Sequence, residues 1–99
     1  MKFEGIYTPA ITPHREDGRI DRDAFVAQLE YLMAQGVHGI INGGSTGEYY
    51  AQSMDERREM ASLAREVTKG RTHLMVGTVA IRLEDSQAMA EHAASIGAD

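Results

Sequence analysis

Apolar runs recur along the chain at a fixed interval, beginning near Ile6, Ile40 and Leu74, two steps of 34 residues. Between them, apolar positions return with helical spacing. Phe25, Leu29, Leu32 and Met33 stand at i, i+4, i+7 and i+8, the stripe of a helix that buries one face. Asp21 is placed to cap that helix by accepting from free N–H groups of the first turn, and Gly36 to end it in the left-handed conformation that a side chain resists. In the second segment Ser53-Met54-Asp55-Glu56 has the form of a capping box, Met60, Ala64 and Val67 make the stripe, and Gly70 closes it. A third helix is predicted from Leu83 to Ile96, with Met89, Ala93 and Ile96 inward and Gly97 as its stop.

The apolar runs predict strands over Ile6–Ile11, Gly39–Asn42 and Leu74–Val79. They are continuous rather than alternating, as in strands covered on both faces. Strand, helix and strand in succession give parallel pairing through right-handed crossovers, so the fold class is α/β. Three such units open either a doubly wound sheet or a closed barrel. A barrel takes about 250 residues, and three eighths of that is about 94, close to the 99 present. Residues 1–99 therefore read as the amino-terminal part of a single (β/α)8 TIM-barrel domain, its first three βα units, stopping where strand four would start.

Composition narrows the function. A chain 42% hydrophobic and 25% charged packs a core. The absence of Cys removes disulfides, thiolate metal ligands and a Cys nucleophile, and it suits a reducing compartment. A net charge of −5 is opposite to the footprint that counters a phosphate backbone. No stretch approaches the roughly 18 apolar residues of a membrane span, and Met1 to Gly5 lack the apolar run of a signal peptide. The expectation is a cytoplasmic protein with neither nucleic acid nor membrane as partner.

The second strand runs into Asn42-Gly43-Gly44-Ser45-Thr46-Gly47-Glu48, which uncovers backbone N–H groups and two adjacent hydroxyls at the carboxyl end of a parallel strand. Glycine lets the main chain approach a carboxylate or phosphate, and the hydroxyls donate to its oxygens. The alternative is a tight turn that needs glycine only for positive φ. The dinucleotide pattern G-x-G-x-x-G fails at its first place, where Asn42 stands, and the Walker pattern fails for want of its Lys.

Gly39-Ile40-Ile41-Asn42-Gly43-Gly44-Ser45-Thr46-Gly47-Glu48, with Glu56 beyond, resembles the signature of the dihydrodipicolinate synthase and N-acetylneuraminate lyase superfamily, class I pyruvate-dependent aldolases on a (β/α)8 barrel. Gly5-Ile6-Tyr7-Thr8-Pro9-Ala10-Ile11-Thr12-Pro13 is similar to that family's first strand, and the resemblance covers all 99 residues. Tyr49 departs from it, standing where a small residue, Asn or Phe is usual. The resemblance implies a Schiff base between a desolvated Lys and the keto carbon of pyruvate or another 2-oxo acid, an aldehyde as second reactant, no cofactor, and a homotetramer. It also implies that Ser45 and Thr46, beside Gly44, hold the pyruvate carboxylate and that Ser45 serves the proton relay. Thr8, Pro9 and Thr78 are expected to wall the pocket. Tyr49 is expected either to pack under the loop or to shape the pocket for the second reactant.

The Schiff-base Lys itself is expected outside this chain. Lys2 precedes strand one and Lys69 ends helix two, both on the amino-terminal face of a barrel whose chemistry sits at the other end. Tyr7, Tyr31 and Tyr50 offer no better relay, and His14, His38, His73 and His92 read as packed or solvated rather than as metal ligands. The run Asp55-Glu56-Arg57-Arg58-Glu59 reads as a solvated helix face, and the six Met as core filler. The rival reading is a non-catalytic βα module that binds a small anion or a partner chain, which would have to protect two unpaired sheet edges.

Overall fold

Asp21 accepts a hydrogen bond from the Ala24 N–H at 3.0 Å and opens α1 (Arg22–Ala34) in the computed structural model, which describes residues 2–99. The predicted capping box is complete at α2 (Met54–Thr68): Ser53 Oγ accepts from the Glu56 N–H, and Glu56 accepts from the Ser53 N–H. Gly36 and Gly70 follow these helices at positive φ, the conformation for which each was singled out. The third helix, α3, spans Leu83–Ser95.

The strands β1 (Tyr7–Pro9), β2 (Gly39–Asn42) and β3 (His73–Val76) form one parallel sheet in the order β1-β2-β3. Two of them are shorter than the apolar runs predict. Ala10 N–H still donates to the Ile41 carbonyl at 2.9 Å, but beyond it the Gln28 side chain takes both the N–H and the C=O of Ile11, so β1 does not reach Ile11. In β3 the ladder stops before Gly77, where the chain turns against the loop that follows β2.

Register partners share a face of the sheet. Thr8, Ile40 and Leu74 are aligned across the three strands, and Ile40 and Leu74 pack fully buried with Phe25 and Leu29 of α1 and Met60 and Ala64 of α2. The helices therefore cover this face. Val67 is only half-buried, and Thr68, fully buried, bonds back to the Ala64 carbonyl instead. The aligned residues Pro9, Ile41 and Met75 lie on the other face, where Pro9 and Met75 are exposed. On that face the Tyr7 ring crosses Gly39, which has no side chain to obstruct it, and its hydroxyl meets His73 Nδ1 at 2.6 Å. One side of the sheet is thus a core, and the other is an open surface of the kind that a closed barrel turns inward.

Asp99 lies along the free edge of β3. Its N–H donates to the Leu74 carbonyl at 2.9 Å, and its carboxylate accepts from the Leu74 N–H at 3.0 Å and from Arg65 of α2 at 3.2 Å. The Leu74 N–H, assisted by Arg65, holds this carboxyl below its ordinary pKa. A carboxyl depressed by folding contributes stability that is complete above its unfolded value of about 4 and is lost as the pH falls through the lower folded value. Denaturant midpoints of the wild type and Asp99→Asn, measured from neutral to acid pH, should accordingly differ most at neutral pH and converge in acid.

Candidate functional site

The carboxyl-terminal ends of β2 and β3 are locked together by backbone. Gly77 N–H donates to the Asn42 carbonyl at 2.8 Å. A Cβ on Gly77 would stand 2.8 Å from the Gly43 carbonyl carbon and closer still to its oxygen, so no side chain fits there. Gly43 itself has φ +76°, which favours glycine. Two glycines, each next after its strand, therefore let the two turns depart in contact.

From Gly43 the chain folds into a tight turn. Gly47 N–H and Tyr49 N–H both donate to the Gly44 carbonyl, at 3.1 and 3.4 Å, and Glu48 N–H donates to the Ser45 carbonyl at 3.0 Å. The donors of Gly44, Ser45 and Thr46 are left over: among the described residues no backbone carbonyl accepts from them. Ser45 and Thr46 are exposed. Gly44 needs neither a positive φ nor packing room, since a Cβ there would meet only the Ile41 side chain at 3.9 Å. The turn ends at Glu48, a non-glycine residue at φ +58°, before a single 3-10 turn over Tyr49–Ala51 leads into α2.

Thr12 and Gln52 tie this turn to the segment after β1. The Gly47 carbonyl accepts from the Thr12 hydroxyl at 2.7 Å and from Gln52 Nε2 at 3.0 Å, and the same Nε2 donates to the Thr12 oxygen at 3.1 Å. Gly47 is buried, and a Cβ on it would come within 3.0 Å of the Ala10 carbonyl. The crossing segments thus fix the turn from the β1 side as Gly77 fixes it from the β3 side.

The predicted site residues divide. Gly44, Ser45 and Thr46 stand together in the turn, and Pro9 lies on the open face of the neighbouring strand. Thr8 does not line that side, because it is in register with Ile40 and shares the face covered by helices. Thr78 follows Gly77 in the loop after β3 and is half-buried. Tyr49 turns away to a cavity of about 430 Å³ shared with Tyr50, Met54, Ile81 and Asp85, whose lining includes none of Ser45, Thr46, Thr8 or Pro9. The Tyr49 ring packs against Arg57.

Arg57 corrects the solvated reading of the charged run. Its side chain is 5% exposed, its Nη2 donates to the Gly77 carbonyl at 3.1 Å, and its guanidinium lies 5.0 Å from the centre of the Tyr49 ring. Burial lowers its pKa, while Tyr49 and Asp85 act in the opposite direction. The spacing held the signal: Arg57 stands three before Met60 and seven before Ala64, on the buried stripe of α2. The rest of the run is outward, with Arg58 bonded to Asp55 and Glu59 to Arg22. Lys2 and Lys69 are exposed, the one in the segment before β1 and the other capping the end of α2. His38 Nδ1 accepts from the Ile6 N–H, and His92 Nε2 sits against Ser62 Oγ and the Arg58 carbonyl.

The sequence profile of the Dihydrodipicolinate synthetase family matches residues 2–99. The chain is 41% identical over 99 residues to an N-acetylneuraminate lyase of Rhizobium meliloti (strain 1021), covering 98% of this chain and 32% of the lyase. It is 35% identical over 97 residues to a 4-hydroxy-tetrahydrodipicolinate synthase of Chelativorans sp. (strain BNC1), covering 98% of this chain and 33% of the synthase. The crystal structure of YagE, a prophage protein of the dihydrodipicolinic acid synthase family from E. coli K12 in complex with pyruvate, superposes with a TM-score of 0.93 at 30% identity, over 98% of this chain and 33% of YagE. The chain spans about a third of the length of these relatives.

Two substitutions test the backbone account. Gly77→Ala should destabilise by about 1–3 kcal/mol, the cost of forcing atoms into filled space, as read from denaturant unfolding. At position 48 the left-handed conformation should make Glu48→Gly more stable than Glu48→Ala by about 1 kcal/mol. Equal stability of the two would contradict the geometry of the turn.

Proposed function

The chain belongs to the dihydrodipicolinate synthetase family, and from that premise we propose that the full-length protein is a Schiff-base-forming, pyruvate-dependent aldolase or lyase. The observation that carries the reading is the turn after β2. Three consecutive N–H groups without backbone acceptors and two exposed hydroxyls form an uncharged, donor-rich cradle, and the missing side chain at Gly44 is required by neither φ nor packing. What it leaves open is room for a ligand. A 2-oxo acid carboxylate fits that donor set, because charge-assisted hydrogen bonds from N–H and O–H groups are stronger than neutral ones. YagE, a relative, was crystallised with pyruvate.

In this reading Ser45, Thr46 and the Gly44 backbone hold the carboxylate, and Pro9 walls the pocket from β1. The keto carbon is then presented to a Lys supplied by a later strand. The Lys amine adds to that carbon and water leaves, giving an iminium. Loss of a proton from the adjacent carbon gives an enamine, which attacks an aldehyde in the synthetic direction; in the lyase direction C–C cleavage of the substrate iminium releases the aldehyde and leaves the same enamine on the Lys, to be protonated and hydrolysed to free pyruvate. Ser45 Oγ, beside the carboxylate, passes protons in these steps. No cofactor is needed, since the imine itself is the electron sink. Lys2 and Lys69 have no part in it. By its resemblance to the family, the full-length protein is read as a cytoplasmic homotetramer. The open face of the sheet, with Met75 and Pro9 exposed, supports a whole barrel over a free-standing anion-binding module.

Borohydride reduction in the presence of pyruvate tests this in the full-length protein. A covalent adduct should form on a Lys outside residues 1–99, whereas a stable adduct on Lys2 or Lys69 would overturn the assignment. Thr46→Val should weaken pyruvate binding by about 1–3 kcal/mol, the cost of leaving one partner of the hydrogen bond unpaired. Ser45→Ala should lose more in turnover than in binding. Gly44→Ala should leave stability within about 0.5 kcal/mol of wild type yet impair pyruvate binding, because the added methyl meets substrate and not protein.

A further inference from the structure

Arg57 is held in a place where an apolar side chain would cost less. Of its five N–H donors one, on Nη2, bonds the Gly77 carbonyl, and Nε is buried without a partner. Replacing a buried charge by an apolar group of similar volume is often neutral or stabilising. The packing of α2 alone therefore gives no reason for a guanidinium here.

The position of the group supplies one. Gly77 is bonded through its N–H to Asn42 and stands against Gly43, and its remaining polar group, the carbonyl, goes to Arg57. The same guanidinium lies over the ring of Tyr49, whose N–H closes the turn on the Gly44 carbonyl. A single cation thus touches both turns, one through an N–H donor and one through its position over the Tyr49 ring. Lysine cannot do both at once, because its ammonium is a point charge without a plane.

We propose that Arg57 is a positioning residue for the 2-oxo acid site: it clamps the Gly77 carbonyl and Tyr49 together and so holds the turn of Gly44, Ser45 and Thr46 in binding geometry. The role rests on the reading of that turn as the carboxylate site. Arg57 does not touch the substrate, and it acts only through two backbone contacts, that of Gly77 with Gly43 and that of Tyr49 with the Gly44 carbonyl.

The test uses the full-length protein with Arg57→Met and Arg57→Lys, and pyruvate as the probe. Three quantities are read: the pyruvate concentration for half-maximal borohydride trapping, the maximal trapping rate, and the thermal midpoint. Loss of the clamp should raise the half-saturating pyruvate concentration about tenfold in Arg57→Met, as small displacements of a binding group do. The maximal rate should stay within about twofold, the pattern of lost binding rather than lost chemistry, and the midpoint should not fall. Arg57→Lys should keep the charge yet recover only part of the affinity. Unchanged half-saturation in Arg57→Met, a loss that tracks a falling midpoint in both variants, or failure of both to fold would each overturn the proposal. Thr46→Val in the same assay separates the two readings. If Thr46→Val weakens binding and Arg57→Met does not, only the positioning role fails; if Thr46→Val has no effect, or the parent protein traps nothing, the carboxylate site fails and takes this role with it.

Discussion

The contact between Gly43 and Gly77 is the constraint on which the carboxyl-terminal end of the sheet depends. Asn42 and Val76 are register partners, and the next residue on each strand is a glycine. The carbonyl of one occupies the space where the other would carry a Cβ. Because backbone meets backbone, the two turns are fixed without the slack of side-chain rotamers. The remaining contacts refine that arrangement: Thr12 and Gln52 hold Gly47 from the β1 side, and Arg57 holds Gly77 from α2. Ser45 and Thr46 are carried on a segment anchored at both ends and free of competing backbone acceptors in between.

The fold was legible wherever its signals are local. A helix cap, a capping box and a glycine stop each act within a few residues, and Asp21, Ser53 with Glu56, Gly36 and Gly70 all do what their positions require. Strand ends are decided by distant partners, and there the reading fell short. Ile11 is apolar enough for a strand, but Gln28 of α1 occupies its backbone, and nothing near Ile11 reveals that. The turn after β2 was legible in its glycines, and the residues that support it were obscure. Thr8 lies one residue from Pro9, and in a strand that single step moves a side chain to the opposite face. Arg57 was hidden by its neighbours, since a charged run at a helix start is ordinarily solvated, although its spacing from Met60 and Ala64 places it inward.

Packing is as asymmetric as the chemistry. The helices α1 and α2 cover one face of the sheet, where Phe25, Leu29, Ile40, Met60 and Leu74 are fully buried. The opposite face carries Tyr7 hydrogen-bonded to His73 across Gly39, with Ile41 and Met75 above them. In the family's barrel this face turns inward, and Asp99 lies on the edge of β3 away from β2. The strands are therefore divided along their length: the middle of the sheet supplies the core, and the glycines beyond its carboxyl end shape the turns of the candidate site.

The most direct measurement of the central claim is a crystal structure of the full-length protein after borohydride reduction with pyruvate. The account predicts the pyruvyl carboxylate within hydrogen-bond distance of the Ser45 and Thr46 N–H groups and of the Thr46 hydroxyl, with its carbon chain pointing to a Lys from a later strand. A trapped pyruvyl group whose carboxylate is bound elsewhere, with the turn after β2 unoccupied, would contradict it.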